Sequence, residues 1–468
     1  MSIKQSFINY FEHLPYSTIA NLRYGFPSKD LKVIGVTGTD GKTTVTSMIY
    51  HLLSQSGCKV GMISTVSAKS MESEVDTGFH VTTPAHASFG ELMHYLLKFQ
   101  FKSFFNELVN PNTVHKTLRL FKDQGLEYVV LETTSQALDQ FRLAGIRFDQ
   151  AVFTNIGNDH LDYHGTYDNY LKAKAKLIKL LKKDGTAIIN GDDKSGERLT
   201  EISKKLKKKF FIYNEQLIQN YTYSREGIKF EYNGETYSAP VIGEYNLWNM
   251  LAAIVSTSQF LEPEDISKSF LNFQPPEGRM QIMLTEPIFI IIDFAHTPGA
   301  LKEALKSVQK LRTSPEQRII SVFGCAGKRD KDRRDMGKVS MQLADITILT
   351  AEDPRDELLK DVNSDIFSRA ETLGAKLRFR FANHEELLKH DYSQALTKGD
   401  FVAFDEDSPQ SRIDAINFAL RISRKGDIVF ITGKGHERSL SFGKSEKELE
   451  WNEQRVVKEA ISIKLNNK

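Results

Sequence analysis

The chain has 468 residues, of which 62 are basic and 60 acidic. That length suggests two or three domains at roughly 100–200 residues each, and the near-neutral balance argues against a nucleic-acid tail or a polybasic membrane anchor. The two cysteines, Cys58 and Cys325, are far apart and lack metal spacing, which argues against a disulfide framework and fits a reducing cytosol. The N-terminal MSIKQSFINYFEHLPYS lacks a charged stretch followed by an apolar one, and no uncharged apolar run approaches about 18 residues. Neither a signal peptide nor a membrane span is expected.

In chain order, short apolar runs alternate with helical patterns. LKVIGV (31–36) is predicted as a strand, TTVTSMIYHLLSQSG (43–57) as a helix ending at Gly57, and KVGMIST (59–65) as a second strand. EYVVLE (127–132), DQAVFTN (149–155) and GTAIIN (185–190) read as further buried strands. Residues 221–240, with YNGETYSA, read as a hairpin insert, and NLWNMLAAIVSTSQFL (246–261) as a closing helix. Such alternation implies a parallel α/β sheet. FQPPEG (273–278) marks a linker. A second α/β run follows it, with strands expected at FIIID (289–293), RIISVFG (318–324), DITILT (345–350) and DIVFIT (427–432).

The first strand leads into GVTGTDGKTT (35–44). A glycine-rich turn between strand and helix points backbone N–H groups at an anion, and the helix N-terminus adds favourable partial charge. A lysine there can reach the β/γ-phosphates, and the Thr that follows can hold Mg²⁺. Val36 stands where the usual spacing G-x-x-x-x-G-K-[ST] has its first glycine, yet Gly41-Lys42-Thr43-Thr44 is hard to explain as packing.

The loop resembles the ATP loop of the Mur ligase family, and other stretches agree in the family's order. They are ETTSQAL (132–138), NIGNDHLDYHGTYDNYLKAKAKL (155–177), GEYNLWNMLAA (243–253), GRMQ (278–281), DFAHTPGAL (293–301), GCAGKRDKDRRDMG (324–337), DPR (353–355) and GKGHE (433–437). The last four of these are similar to the MurE branch, which adds a diamino acid to a UDP-N-acetylmuramoyl dipeptide. The resemblance implies an α/β fold: a short segment 1–30, a central P-loop ATPase-type parallel-sheet domain over 31–273, and a C-terminal Rossmann-like domain over 277–468. It implies an ATP-dependent, Mg²⁺-requiring ligase of the cytoplasm that forms an acyl phosphate and then an amide, in peptidoglycan synthesis.

Roles follow residue by residue. Gly38, Thr39, Asp40, Gly41, Lys42, Thr43 and Thr44 correspond to the ATP loop, with Lys42 catalytic. Thr43, Glu132, His160 and Lys174 are the implied Mg²⁺ and catalytic set, Lys174 being the lysine the family carbamylates. Asp159, Asp162 and His164 lie near His160, and Lys172 and Lys176 are read as a solvated helix face. Asn249 is the implied adenine contact, with Asn246 shaping its pocket; Arg279, Asp293 and His296 are further ATP contacts brought in by domain closure. Thr82, Thr83, Thr134 and Ser135 are implied for the donor, although Gln136 replaces a histidine common in the family. Arg334, Asp353, Pro354, Arg355, Gly433 and Glu437 are implied for the amino acid. A zwitterionic distal end needs a guanidinium for its carboxylate and a glutamate for its ammonium, which suits meso-diaminopimelate. Asp353 replaces the family's Asn and adds negative charge, so L-lysine stays open.

Two departures from the family bear on the donor. Only 34 residues precede Gly35, where typical MurE chains carry a UDP-binding domain, so a donor without UDP or linked to lipid stays open as the alternative. Residues 85–109 form an apparent insertion with apolar residues at helical spacing. They are read as a helix packed on the core or on 1–30, against a lid or a lipid- or protein-binding surface. A non-catalytic ATP-binding subunit is a third reading, opposed by Lys42, Glu132, His160 and Lys174. Small-molecule substrates, and no nucleic acid, are the expected partners.

Overall fold

A computed structural model describes residues 8–64, 68–69, 74–75, 114–157, 159–328, 331–389, 396–443 and 448–466. Thr82, Thr83 and the apparent insertion 85–109 lie outside the described residues. The chain forms two compact units. One comprises Met1–Thr222, Gly227–Pro240 and Asn246–Gln274, the other Tyr223–Glu226, Val241–Tyr245 and Pro275–Lys468.

The first unit is built on an eight-stranded sheet of β1 (Lys32–Thr37), β2 (Val60–Ile63), β3 (Ala68–Lys69), β4 (Glu74–Val75), β5 (Tyr128–Glu132), β6 (Phe148–Phe153), β7 (Leu181–Asn190) and β8 (Lys209–Tyr213). Their order is β4-β3-β2-β5-β1-β6-β7-β8. The strands from β2 to β8 in that order are parallel, and β3 and β4 extend the sheet antiparallel. After β1 the chain crosses over β5 to β2, and it later returns to β6 on β1's other side. The carboxyl end of β1 is therefore a topological switch point, where open α/β sheets hold ligands. Helices Lys42–Gln55, Tyr167–Lys179 and Asn246–Thr257 cover the sheet, and strands such as YVVLE and VGMI are apolar on both faces because both are buried.

Residues 8–30 are part of this unit. In the helix Leu14–Arg23, Tyr16 and Ala20 are buried. Asn9 Nδ2 donates to Asp139 Oδ2 at 3.2 Å, and Asn21 Nδ2 to the Gly145 carbonyl at 3.3 Å. The hairpin expected at 221–240 is part of a three-stranded sheet of β9 (Gln219–Ser224), β10 (Gly227–Tyr232) and β11 (Glu235–Ala239), in which β10 and β11 are antiparallel. The Asn233-Gly234 turn, with φ of 49° and 81°, joins the two strands that the sequence shows. The third, QNYTYS, is mostly exposed and lacks an apolar stripe.

The second unit holds a seven-stranded sheet of β12 (Gln281–Leu284), β13 (Phe289–Ile292), β14 (Ile319–Phe323), β15 (Ile346–Leu349), β16 (Lys376–Phe381), β17 (Asp400–Phe404) and β18 (Ile428–Ile431). The order is β12-β13-β18-β14-β15-β17-β16, parallel except for the β12 edge. Two apolar layers flank it, one including Leu301, Leu305 and Ile366, the other Ile416, Phe418 and Val457.

Candidate active site

The loop after β1 turns at Gly41, where φ is 80°. A Cβ there would lie 2.4 Å from Asn249 Oδ1, and one on Gly38 would lie 1.8 Å from Thr154 Oγ1. Both glycines let neighbouring side chains close on the backbone, and Gly41 also supplies a conformation that L-residues rarely adopt. Sheet register places the partners. Val36 pairs with Glu132 on β5, and Thr37 with Phe153 on β6, so Glu132 flanks one side of the loop and Thr154 and Asn155 the other. Thr154 Oγ1 donates to the Asp40 carbonyl at 2.6 Å, and Asn155 Oδ1 accepts from the Asp40 amide at 2.9 Å.

Thr43 and Glu132 are both buried, with Thr43 Oγ1 3.1 and 3.2 Å from the two carboxylate oxygens. A hydroxyl and a carboxylate side by side form a hard-oxygen donor set of the kind Mg²⁺ takes. Lys42 heads the following helix and donates to the Thr39 carbonyl at 2.8 Å. Lys174 lies fully buried beneath the loop, donating to the Gly38 carbonyl at 2.6 Å. Burial first, and the charge of Lys42 second, push its amine well below the usual lysine range, against the pull of Asp159, Asp40 and Glu132. Its Nζ lies 4.5 Å from the Tyr170 ring centroid, and the Tyr170 hydroxyl lies 3.2 Å from Thr39 Oγ1.

His160 takes a left-handed conformation (φ 51°) at the start of the turn Leu161–His164, with Nε2 3.4 Å from Asp159 Oδ2. His164 is buried against Ser135 Oγ at 3.0 Å, and burial lowers its pKa to about 4. Asn249 donates to Asn246 Oδ1 at 2.8 Å, so the two asparagines of the motif meet beside the loop.

Lys172 pairs with Asp168 at the surface, as a solvated face should. Lys176 does not: it pairs at 2.6 Å with Asp139, whose side chain is 4% exposed, because its side of the helix packs on Ser135–Asp139. The expected donor contacts Thr134 and Ser135 carry structural bonds. Thr134 accepts from the Ala137 amide at 3.1 Å as a helix cap, and Ser135 holds His164.

In the second unit, Asp293 at the end of β13 is buried and accepts from the Met280 and Ala295 amides, each at 2.8 Å. Burial raises its pKa, with Arg279 opposing. The Arg279 guanidinium stacks 4.5 Å from the Phe294 ring centroid, and His296 and His436 lie against the same ring at 4.5 and 4.9 Å.

A second group collects at the carboxyl ends of β15 and β18. Lys434 is buried and pairs with Asp353 Oδ1 at 3.0 Å and Glu437 Oε2 at 2.6 Å. Burial works to lower its pKa, but Glu437, Asp353 and Glu352 outweigh it and raise the value. Glu352 is buried too, and burial followed by Asp353 pushes its carboxyl up. Pro354 is buried. Gly433 (φ 105°) lets the backbone approach Glu352, since a Cβ there would fall 3.2 Å from Glu352 Cγ. Arg355 is half-buried, and among the described residues no carboxylate pairs with its guanidinium.

Arg334 departs from the expectation that it faces the amino acid. It is buried, with Nη2 3.2 Å from Glu357 and Nε 3.6 Å from Asp365. Arg333 is among the charges that act on Glu352, after burial, Asp353, Lys434 and Glu437. Of these two adjacent arginines on a short helical turn, Arg334 is buried and Arg333 partly exposed, a difference their shared residue type does not encode. Tyr170, Asn155, Glu352 and Lys434 also belong to these groups without a role assigned from the sequence, although Tyr170, Asn155 and Lys434 lie inside the family-like motifs.

A phosphate loop at a switch point, flanked by a hydroxyl–carboxylate pair, defines a nucleotide-binding α/β protein. Models of known families narrow this: the Mur ligase middle domain matches residues 36–257, and the Mur ligase, glutamate ligase domain matches 278–404. The UDP-N-acetylmuramyl-tripeptide synthetase of Borreliella afzelii is 34% identical over 466 residues, covering 95% of this chain and 80% of that protein. The UDP-N-acetylmuramoyl-L-alanyl-D-glutamate--2,6-diaminopimelate ligase of Parabacteroides distasonis is 31% identical over 422 residues, covering 88% of this chain and 75% of its own. E. coli FolC, solved with DHPP and ADP, shares the fold with a TM-score of 0.64 at 18% identity, covering 97% of this chain and 94% of that one. The chain belongs to the Mur ligase family and is an ATP-dependent ligase. Among the described residues no helix is long and apolar enough to cross a membrane.

Proposed function

We propose that the chain joins a diamino acid, meso-diaminopimelate ahead of L-lysine, to a UDP-N-acetylmuramoyl-L-Ala-D-Glu type acceptor in the cytoplasm, as a step of peptidoglycan synthesis. The acceptor carboxylate attacks the γ-phosphorus of ATP, giving an acyl phosphate and ADP. The amine then attacks the acyl carbon, and phosphate leaves. Two anions must be brought together, so the work is positioning and charge neutralisation. The loop amides and Lys42 meet the β/γ-phosphates, and Asn249 is assigned to the adenine. Thr43, Glu132, His160 and carbamylated Lys174 would hold Mg²⁺, which supplies further positive charge between phosphate and carboxylate. Lys174 is suited to carbamylation because burial favours its neutral amine, the form that adds to CO₂ and then loses a proton. Arg279, Asp293 and His296 are assigned to the nucleotide, and Thr82 and Thr83 to the UDP-linked carboxylate substrate.

The observation that carries the choice of amino acid is the combination of Arg355 with the Lys434 group. A half-buried guanidinium without a carboxylate partner among the described residues adjoins Asp353, which with Glu437 supplies negative charge. This suits a distal end bearing both a carboxylate and an ammonium, and the Parabacteroides relative is named for 2,6-diaminopimelate. Phosphate release with UDP-N-acetylmuramoyl-L-Ala-D-Glu should depend on diaminopimelate and exceed that with lysine. Release with lysine alone overturns the choice of amino acid, and no substrate-dependent release overturns the whole reading.

A further inference from the structure

We propose that the buried Arg412–Glu453 ion pair is the positioning device of the amino-acid subsite, holding the segments 352–355 and 433–437 at a fixed separation. The proposal rests on the reading of that subsite given above.

Arg412 lies on the helix Gln410–Ile422 and is 0% exposed. Its Nη1 donates to the Ala351 carbonyl at 2.8 Å, its Nη2 to the Thr432 carbonyl at 2.8 Å, and its Nε to Glu453 Oε2 at 3.0 Å. Ala351 immediately precedes Glu352, and Thr432 immediately precedes Gly433. The strands feeding these two points, β15 and β18, are not neighbours, since β14 lies between them. No ladder bond can tie their ends directly, and the guanidinium fork spans the gap.

Glu453 opens the last helix, Glu453–Asn466, and also accepts from Trp451 Nε1 at 2.7 Å. The next residue, Gln454, donates to the Gly435 carbonyl at 3.0 Å. One helical turn thus grips the stretch 432–435 at two places, at Thr432 through Arg412 and at Gly435 directly. Both segments need such support. Asp353 (φ 135°), Arg355 (φ 55°), Gly433 (φ 105°) and Gly435 (φ 50°) all lie at positive φ, and non-glycine residues there persist only where their surroundings over-determine them. A buried ion pair is a weak source of net stability, because desolvation offsets its Coulomb energy. A planar fork meeting two carbonyls and a carboxylate is better explained by geometry. Arg412 contacts no substrate in this scheme, so it is a positioning residue.

The test uses the full chain in two forms, Arg412→Lys and the double variant Arg412→Met/Glu453→Leu, which replaces both charges with apolar groups. The double variant leaves the Ala351 and Thr432 carbonyls and Trp451 Nε1 without these partners, so its unfolding midpoint should fall while the chain stays folded. Its KM for the diamino acid should rise about tenfold or more, since loosened supports misplace reacting groups. Its KM for ATP should stay within about twofold, as the phosphate loop is untouched. Amide hydrogen exchange at 351–355 and 433–437 should accelerate. A folded double variant with unchanged exchange and unchanged amino-acid KM overturns the proposal, as do equal rises in both KM values. Should the double variant fail to fold, Arg412→Lys decides on the same split, because an ammonium cannot reach both carbonyls and the carboxylate in one plane. If the wild type turns over no diamino acid, the functional reading fails, while the exchange measurement still decides the role of Arg412.

Discussion

The phosphate loop of the first unit and the charged group of the second solve different problems. The loop is one continuous run that, on the proposed reading, recognises through its backbone, with Gly38 and Gly41 admitting Thr154 and Asn249. The Lys434 group presents side chains from two strand ends, three carboxylates around one buried cation. On the proposed reading, a substitution in the loop removes a contact to phosphate. In the charged group it changes a balance of charges, and the remaining members bear the consequence.

Four measurements test that contrast. Lys42→Ala carries the largest expected effect, a loss of about 10³-fold in substrate-dependent phosphate release, because charge neutralisation at the phosphates is lost. A loss below tenfold would remove Lys42 from the chemistry. Arg355→Ala should raise the amino-acid KM by roughly 10–100-fold, the cost of one charge-assisted hydrogen bond, and leave the ATP KM in place. A shift in both constants would mean that the two regions are not independent. Withdrawal of CO₂ and bicarbonate should lower turnover several-fold, and their return should restore it; Lys174→Arg should be low from the start and unresponsive. An unchanged wild-type rate in CO₂-free buffer argues against carbamylation.

The smallest effect concerns stability against pH. His115 in the first unit is buried, bonds the Ala144 carbonyl at 3.1 Å, and is held down to about 4 by burial. Its folded pKa lies below its unfolded value of 6.5, so the unfolded chain binds the proton more tightly. The stability is present above that value and is lost as pH falls towards about 4, by about 3 kcal/mol at most. His115→Asn should flatten the acid dependence of the unfolding midpoint in this window; an identical slope in the variant would show that other groups dominate.

Much of the first unit was legible because its signals are local. The strand runs, the Asn233-Gly234 turn and the Gly41-Lys42-Thr43 loop each depend on neighbours within a few residues. The strands β8, β12, β16 and β17 were not: KLRFRF alternates, QIML is short, and KFFIY and DFVAF are short apolar runs that periodicity alone does not tell from helix. Lys176 reads as a solvated lysine because its partner, Asp139, is remote in sequence and buried.

The sequence by itself determined the loop, the order of the motifs, the alternation of strand and helix, and the residue types needed for phosphate, carboxylate and ammonium. Only the tertiary structure decided which copies of those types face one another. Arg334 went into the core and Arg355 stayed without a carboxylate partner among the described residues, Lys434 gathered three carboxylates, and Arg412 joined two strand ends that are not adjacent in the sheet. The reason is physical: backbone conformation is set by near neighbours, whereas burial and charge balance are set by whatever the fold brings alongside.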